Sequence, residues 1–107
     1  MYPKLELFIG GQWKDGAGRK TESVINPVNE KVLAELPHAS KADLNDALDT
    51  AKRGFETWRR TNAWDRARIM NKAADVIRER LEAIAAIITQ EQGKPLFEAR
   101  LEVAAAA

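Results

Sequence analysis

The period of the apolar residues changes near residue 40. Before it, short apolar and β-branched runs are separated by glycine, proline and asparagine; after it, apolar residues return every three or four positions. The first pattern predicts strands and turns, the second amphipathic helices. Leu5–Ile9 is a short apolar run, followed by Gly10-Gly11 and then Gln12-Trp13. Two glycines between such runs predict a two-residue hairpin turn, because the favoured turns need positive φ. Trp13 is expected to pack over this hairpin. The loop 15–20, Asp-Gly-Ala-Gly-Arg-Lys, is polar and Gly-rich. No helix start follows it, so it reads as a plain loop and not as a phosphate cradle. Thr21–Asn26 predicts a second strand through Val24 and Ile25. Pro27-Val28-Asn29-Glu30 is a turn in which Asn29 tolerates left-handed backbone. Lys31–Leu36 returns as a strand, with Val32, Ala34 and Leu36 on one face, and Pro37 ends it.

Ser40-Lys41-Ala42-Asp43 reads as a capping box, with Ser40 as N-cap. Beyond it, Leu44, Ala47, Leu48, Ala51, Phe55 and Trp58 define one face of a helix from about Lys41 to Arg59. Asp49/Arg53 and Glu56/Arg60 add favourable i,i+4 pairs on the polar face. Asn62-Ala63-Trp64-Asp65 is a second cap-like box. The helix after it is expected to bury Ile69, Met70, Ala73, Ile77, Leu81, Ile84 and Ile88. Running from Asp65 to Glu91, it is long for a globular helix and leaves room for a break near Arg80-Leu81.

The chain then reaches Glu91-Gln92-Gly93-Lys94-Pro95-Leu96. Gly93 can end a helix in the left-handed conformation, and Pro95 can admit the next one. That last helix runs from Pro95 or Leu96 through Val103 into four alanines with no cap after them, which predicts a fragment of a larger fold. The expected class is α+β and mostly helical: N-terminal β-hairpins over residues 1–39, then three or four helices over residues 40–107, both parts of one truncated domain.

Composition narrows the function. With 45% hydrophobic and 31% charged residues the 107-residue chain has the balance of a small globular domain. Its formal net charge of +1 implies no strongly charged partner. It has no Cys, which removes a disulfide framework, a thiolate metal site and a Cys nucleophile. With His38 as the one histidine, read as a surface residue after Pro37 at a strand end, neither a His metal cluster nor a Ser-His-Asp triad is expected. Met1–Gly11 holds only Leu7-Phe8-Ile9 as an apolar run and reads as no signal peptide; no stretch reaches membrane-spanning length. A cytoplasmic location with no membrane partner is expected. The basic cluster Arg59, Arg60, Arg66, Arg68 and Lys72 is interleaved with Glu56 and Asp65, so nucleic-acid binding is not expected. The carboxylates sit on solvent faces of helices, and no pair offers two environments in a cleft.

Several motifs, in this order, carry a family resemblance. They are Leu7-Phe8-Ile9-Gly10-Gly11-Gln12-Trp13, then Val24-Ile25-Asn26-Pro27-Val28-Asn29-Glu30, then Ala51-Lys52-Arg53-Gly54-Phe55-Glu56-Thr57-Trp58-Arg59. Asp65-Arg66-Ala67-Arg68-Ile69-Met70, Ala73-Ala74-Asp75-Val76-Ile77 and Glu91-Gln92-Gly93-Lys94-Pro95-Leu96 follow. Together they resemble the amino-terminal part of the NAD(P)-dependent aldehyde dehydrogenase superfamily, and the hexapeptide looks most like the succinate-semialdehyde dehydrogenase branch. Two positions depart from the pattern: Asn29 stands where the family often has Gly, and Leu101 where it often has a small residue.

The resemblance implies that the parent protein is an oxidoreductase that uses NAD or NADP and takes an aldehyde, succinate semialdehyde being the case the hexapeptide suggests. A piece cut from a larger fold leaves apolar surface open, so a homo-oligomer is expected. The Cys nucleophile, the general-base Glu and the cofactor domain of such enzymes lie downstream of everything matched here. This chain alone is therefore expected to be inactive and to bind no cofactor, with no catalytic residue among its own. One small site carries over: a structural monovalent cation held by the Ile25 carbonyl and the Glu91 carboxylate, with a further ligand from downstream. Oxygen donors suit such a hard cation. The alternative is a solvated Glu91 in the last helical turn. For the whole chain the alternative is a stand-alone helical module that self-associates through its apolar faces without enzymatic activity.

Overall fold

A computed structural model describes residues 2–107. Its elements run β1 (Leu7–Ile9), β2 (Gln12–Lys14), β3 (Thr21–Ile25), β4 (Val32–Pro37), α1 (Lys41–Trp58), α2 (Ala63–Glu79), α3 (Leu81–Gln92) and α4 (Leu96–Ala106). This is the expected α+β arrangement, two strand pairs followed by four helices. The chain divides into two compact units, one built from the chain up to Val24 together with Val32–Thr61, the other from Ile25–Lys31 and Asn62–Ala107.

In the first unit, β1 and β2 pair antiparallel with Ile9 opposite Gln12, leaving Gly10-Gly11 as the whole turn. Both glycines have positive φ, 64° and 79°, as a tight hairpin turn requires. Trp13 does pack on this hairpin, its ring centroid 4.7 Å from that of Phe8, yet the indole stays two-thirds exposed. α1 starts at the predicted cap. The Ser40 hydroxyl oxygen accepts from Asp43 N–H at 3.2 Å, and Asp43 accepts from the Ser40 backbone N–H at 2.9 Å. Asp43 and the partly covered Ala47 and Thr50 occupy one side of α1, and Thr50 lies against the Gly10 turn. The leucine-bearing side is open: Leu44, Leu48 and Phe55 are more than half exposed.

The second unit is built on small residues. Ala85, Ala99 and Val103 are buried, with Ile77, Leu81, Ile84 and Ile88 packed around them. Two alanines at the α3–α4 contact let the helix backbones approach closely, and the larger residues close the sides. α4 packs chiefly on α3 and also touches α2. The predicted long helix breaks at Arg80, with φ −101° and ψ 9°, which separates α2 from α3. The break is shallow, because Arg80 N–H still reaches the Val76 carbonyl at 3.1 Å and Ile84 N–H the Arg80 carbonyl at 3.0 Å. Three side-chain contacts hold α4 from outside. Arg100 pairs with Glu82 through a fork at 2.8 to 3.1 Å, Lys94 pairs with Glu102, and Arg78 donates to the Ala107 carbonyl at 2.6 Å.

Two expectations need correction. Ile69, Met70 and Ala73 are exposed, because α4 covers α2 only toward its C-terminal half, where Ala74, Val76 and Ile77 are partly buried. In the turn after β3 the left-handed residue is Glu30, φ 58°, and not Asn29. Asn26 and Asn29 act through their side chains instead, accepting from Val28 N–H at 2.9 Å and Lys31 N–H at 3.1 Å. Those bonds close the four-residue loop, and the residue before Lys31 then takes the positive φ that returns the chain.

Candidate functional site

The hexapeptide corner behaves as its composition requires. Gly93 ends α3 with φ 72°, its N–H bonded to the Thr89 carbonyl at 2.9 Å. Pro95 sits just before α4, and its carbonyl accepts from Glu98 and Ala99 N–H at 3.0 and 3.1 Å. Gly93 has a second reason to be glycine. A Cβ placed there would lie 3.3 Å from Pro27 Cγ and 3.9 Å from Val28 Cγ2. The turn that follows β3 therefore rests on the corner that ends α3. Lys94, between Gly93 and Pro95, reaches across the first turns of α4 to Glu102.

That contact sets the surroundings of the two residues singled out for a cation. Ile25 is the last residue of β3, with its side chain half exposed, and its backbone begins the loop that meets Gly93. Glu91 lies in the last turn of α3, two residues before Gly93, and its side chain is on the exposed side. The two residues belong to one compact unit. Among the described residues no group of three or more His, Asp or Glu side chains is placed to hold a metal ion. The donors on offer are a carboxylate and backbone carbonyls, a set suited to a weakly held monovalent cation and not to a transition metal. Close by in sequence, the buried Thr89 hydroxyl has no hydrogen-bond partner among the described residues.

The first unit contains a network that the sequence did not announce. Arg19, from the Gly-rich loop, forks onto Asp43, with one nitrogen 3.0 Å from Oδ1 and the other on Oδ2. Lys14 bonds Asp46 at 2.8 Å and lies 3.8 Å from Asp43. Asp43 is only 6% exposed. The Arg19 guanidinium, then the Ser40 hydroxyl and the Ser40 N–H, hold its carboxyl well below the usual carboxylate range, against the opposing effect of burial. The same pairing raises Arg19. The loop is thereby tied to the start of α1. No pairwise spacing of 24 residues could have pointed to it; only the capping role of Asp43 was legible.

This network also tests whether the loop could cradle a nucleotide phosphate. β3 and not a helix follows the loop, and Arg19 is committed to Asp43. His38, in the groove beside it, faces Glu22 at 3.2 Å. The residues present do not fit a cofactor phosphate. Three members of the basic cluster are paired within it, Arg59 and Arg60 on Glu56 and Arg68 on Asp65. Among the described residues no helix is long and apolar enough to cross a membrane.

The profile of the aldehyde dehydrogenase family matches residues 13–107. A malonate-semialdehyde dehydrogenase of Geobacillus kaustophilus is 42% identical over 99 residues, covering 92% of this chain and 20% of the relative. An NAD-dependent aldehyde dehydrogenase structure from Sinorhizobium meliloti superimposes with a TM-score of 0.89 at 31% identity, over 97% of this chain and 21% of that one. An NAD-dependent benzaldehyde dehydrogenase structure from Corynebacterium glutamicum gives 0.85 at 35% identity, over 92% and 21%. The chain spans about a fifth of the length of the relatives it matches.

Proposed function

Because the chain belongs to the aldehyde dehydrogenase family, we propose that it is the amino-terminal segment of an NAD(P)-dependent enzyme that oxidises an aldehyde to the carboxylic acid. The ordered run of motifs from the β1–β2 hairpin to the Gly93 corner, matched along nearly the whole chain, carries this reading. The substrate class we assign is a short semialdehyde. The hexapeptide favours succinate semialdehyde, and the Geobacillus relative acts, by its name, on malonate semialdehyde. The whole enzyme is read as a cytoplasmic homo-oligomer.

This segment contributes structure and not chemistry. With no Cys it has no thiolate to attack a carbonyl, so alone it is inactive. Its glycine loop does not fit a cofactor phosphate, so it binds no NAD(P) by itself. Its part is to seat the strand turn on the end of α3 and to direct α4 onward from Pro95. The Ile25 carbonyl and the Glu91 carboxylate are two oxygen ligands of a structural monovalent cation. The contact of Pro27 with Gly93 supports this by bringing the turn and the helix end together.

A chimera tests the reading. The first fifth of the Geobacillus relative is replaced by this chain, and NAD(P)H formation is followed with semialdehydes. Oxidation by the chimera and none by the 107-residue chain is the expected result. A soluble, folded chimera without activity overturns the enzyme reading. For the cation, replacing potassium and sodium by choline should lower the melting temperature of the chimera but not that of its Glu91→Ala variant. An equal response in both removes Glu91 as a ligand.

A further inference from the structure

Of the aspartates and asparagines in the chain, only Asp15 is followed by glycine. The other aspartates, Asp43, Asp46, Asp49, Asp65 and Asp75, lie within α1 or α2, each before a residue with a side chain. A helix turns the following peptide nitrogen along its axis, away from the carboxyl carbon. Asp15 and Gly16 stand instead in the loop between β2 and β3, with Asp15 exposed. Asp15 Oδ1 accepts from Ala17 N–H at 3.1 Å. That bond closes a ring over the Gly16 peptide unit and folds the carboxyl group back beside the Gly16 nitrogen. Among the described residues no hydrogen bond holds the Gly16 N–H, while its carbonyl accepts from Arg19 N–H at 3.0 Å. Neither backbone nor space demands a glycine here. Its φ is not positive, and a Cβ would meet Pro37 Cβ at 3.5 Å and Thr21 Cγ2 at 3.9 Å, ordinary contacts.

We propose that Asp15-Gly16 is a site of spontaneous isomerisation through a cyclic imide. The Gly16 nitrogen bonds to Asp15 Cγ. The protonated carboxyl group gives up its hydroxyl, and the amide proton leaves with it as water. Water then opens the ring. Attack at Cγ restores aspartate. Attack at the original main-chain carbonyl leaves isoaspartate, with the chain running through Cβ and Cγ and the α-carboxylate free. Nothing is oxidised or reduced, and net charge is unchanged. The consequence follows from the ties of the loop. Lys14 at one end bonds Asp46 at 2.8 Å, and Arg19 at the other bonds Asp43 at 3.0 Å, so both ends are fixed on α1. Isoaspartate adds one carbon to the main chain between these ties. It also converts the Asp15 carbonyl, which accepts from Arg19 Nε at 3.1 Å, into a carboxylate that competes with Asp43 for the guanidinium. The modification thus acts on the charge network at the start of α1. It rests on this loop alone and not on the family reading.

The 107-residue chain is held warm in mildly acidic buffer made with heavy-oxygen water, beside a synthetic peptide of residues 7–22. Each passage through the imide leaves one heavy oxygen at Asp15. Cleavage after glutamate in ordinary water then releases residues 7–22, in which Asp15 is the single aspartate or asparagine, and fragment masses locate the label. Methylation by an isoaspartyl carboxyl methyltransferase counts the isomer. Label and isomer should both accumulate at Asp15, faster in the folded chain than in the free peptide. Gly16→Ala, which the ordinary contacts allow to fold, should slow both several-fold, because a Cβ hinders the attacking nitrogen and narrows its backbone freedom. The separated isoaspartate form should shift the amide resonances of Ser40–Leu44 and leave those of Ala85 and Ala99 in place. A rate in the folded chain equal to or below that of the peptide overturns the proposal, because the loop then does not bring the reacting atoms together. So does an equal rate in Gly16→Ala. An isoaspartate form with unmoved Ser40–Leu44 resonances overturns the link to the charge network.

Discussion

α1 carries its apolar residues on one face and α4 nearly all round, and only α4 buries part of them. α4 turns Ala99 and Val103 onto Ala85 of α3 and makes the one buried cluster of its unit. α1 presents larger apolar side chains and covers none of its leucines fully. What ties α1 to its hairpin is ionic and hydrogen-bonded: Arg19 and Lys14 on Asp43 and Asp46, and Ser40 on Asp43. The second unit is thus held by close packing of small residues with ion pairs only at its outside, the first by a charge network at a helix start. Apolar periodicity marks the face that seeks burial; it does not say that the cover is present.

If that contrast is right, adding volume should hurt the second unit most. Ala99 is fully enclosed, so Ala99→Leu forces three extra carbons between α3 and α4 and should cost about 1–3 kcal/mol in thermal or urea unfolding. Leu48→Ala on the open side of α1, a change of the same three carbons, should leave stability within about 0.5 kcal/mol. A substantial loss at Leu48 would mean that this side is covered in the isolated chain. Next in size is Gly93→Ala. Its positive φ and the 3.3 Å approach to Pro27 both oppose a Cβ, for a combined loss of about 1–2 kcal/mol. Pro27→Ala should relieve the steric part of that loss, and a double-mutant cycle with no coupling would break the claim that the turn rests on the corner. Smaller and of opposite sign is Thr89→Val. It keeps the shape and removes an orphaned hydroxyl, so unfolding should be unchanged or up to about 1 kcal/mol harder. A destabilised variant would show that the hydroxyl has a partner.

Local elements were legible where one short string carries the physics. Gly10-Gly11 could only be a tight turn, Ser40 with Asp43 only a cap, and Gly93 with Pro95 only a stop and a start. The Arg80 break had no Gly or Pro to announce it and showed only as excess helix length. Positive φ fell on Glu30 because two asparagine side chains close the loop around it, an outcome of the whole turn and not of one residue's preference. Burial was the least legible. Ile69 and Met70 have the same spacing as Ile77 and Leu81, but only the latter meet α4. At the candidate site, both residues could be named from their motif, whereas the Pro27–Gly93 contact joins positions 66 residues apart and needed the fold. The Arg19–Asp43 fork was hidden for the same reason.

The charge network gives the last separation between the two units, through pH. Asp43 is held below its ordinary value of 3.8 by Arg19 and Ser40. A carboxyl whose folded value is depressed stabilises the fold wherever it is ionised in both states, and that contribution is lost as pH falls from its ordinary value toward the folded one. Between pH 5 and 8 the network should therefore contribute without change, as estimated from ordinary carboxylate titration. Below about pH 4 the first turn of α1 and the loop at Arg19 should loosen before the α3–α4 contact, whose buried side chains carry no charge. Amide resonances of Ser40–Leu44, followed by NMR in acid, should broaden or shift ahead of those of Ala85 and Ala99. Asp43→Asn removes the ionisation and leaves Arg19 only the weaker attraction of Asp15, so this variant should show the loosened turn already at pH 7 and less further change in acid. If both helix pairs instead lose order at one pH in the wild-type chain and in Asp43→Asn alike, the units are not held by different forces, and the contrast between charge and packing fails.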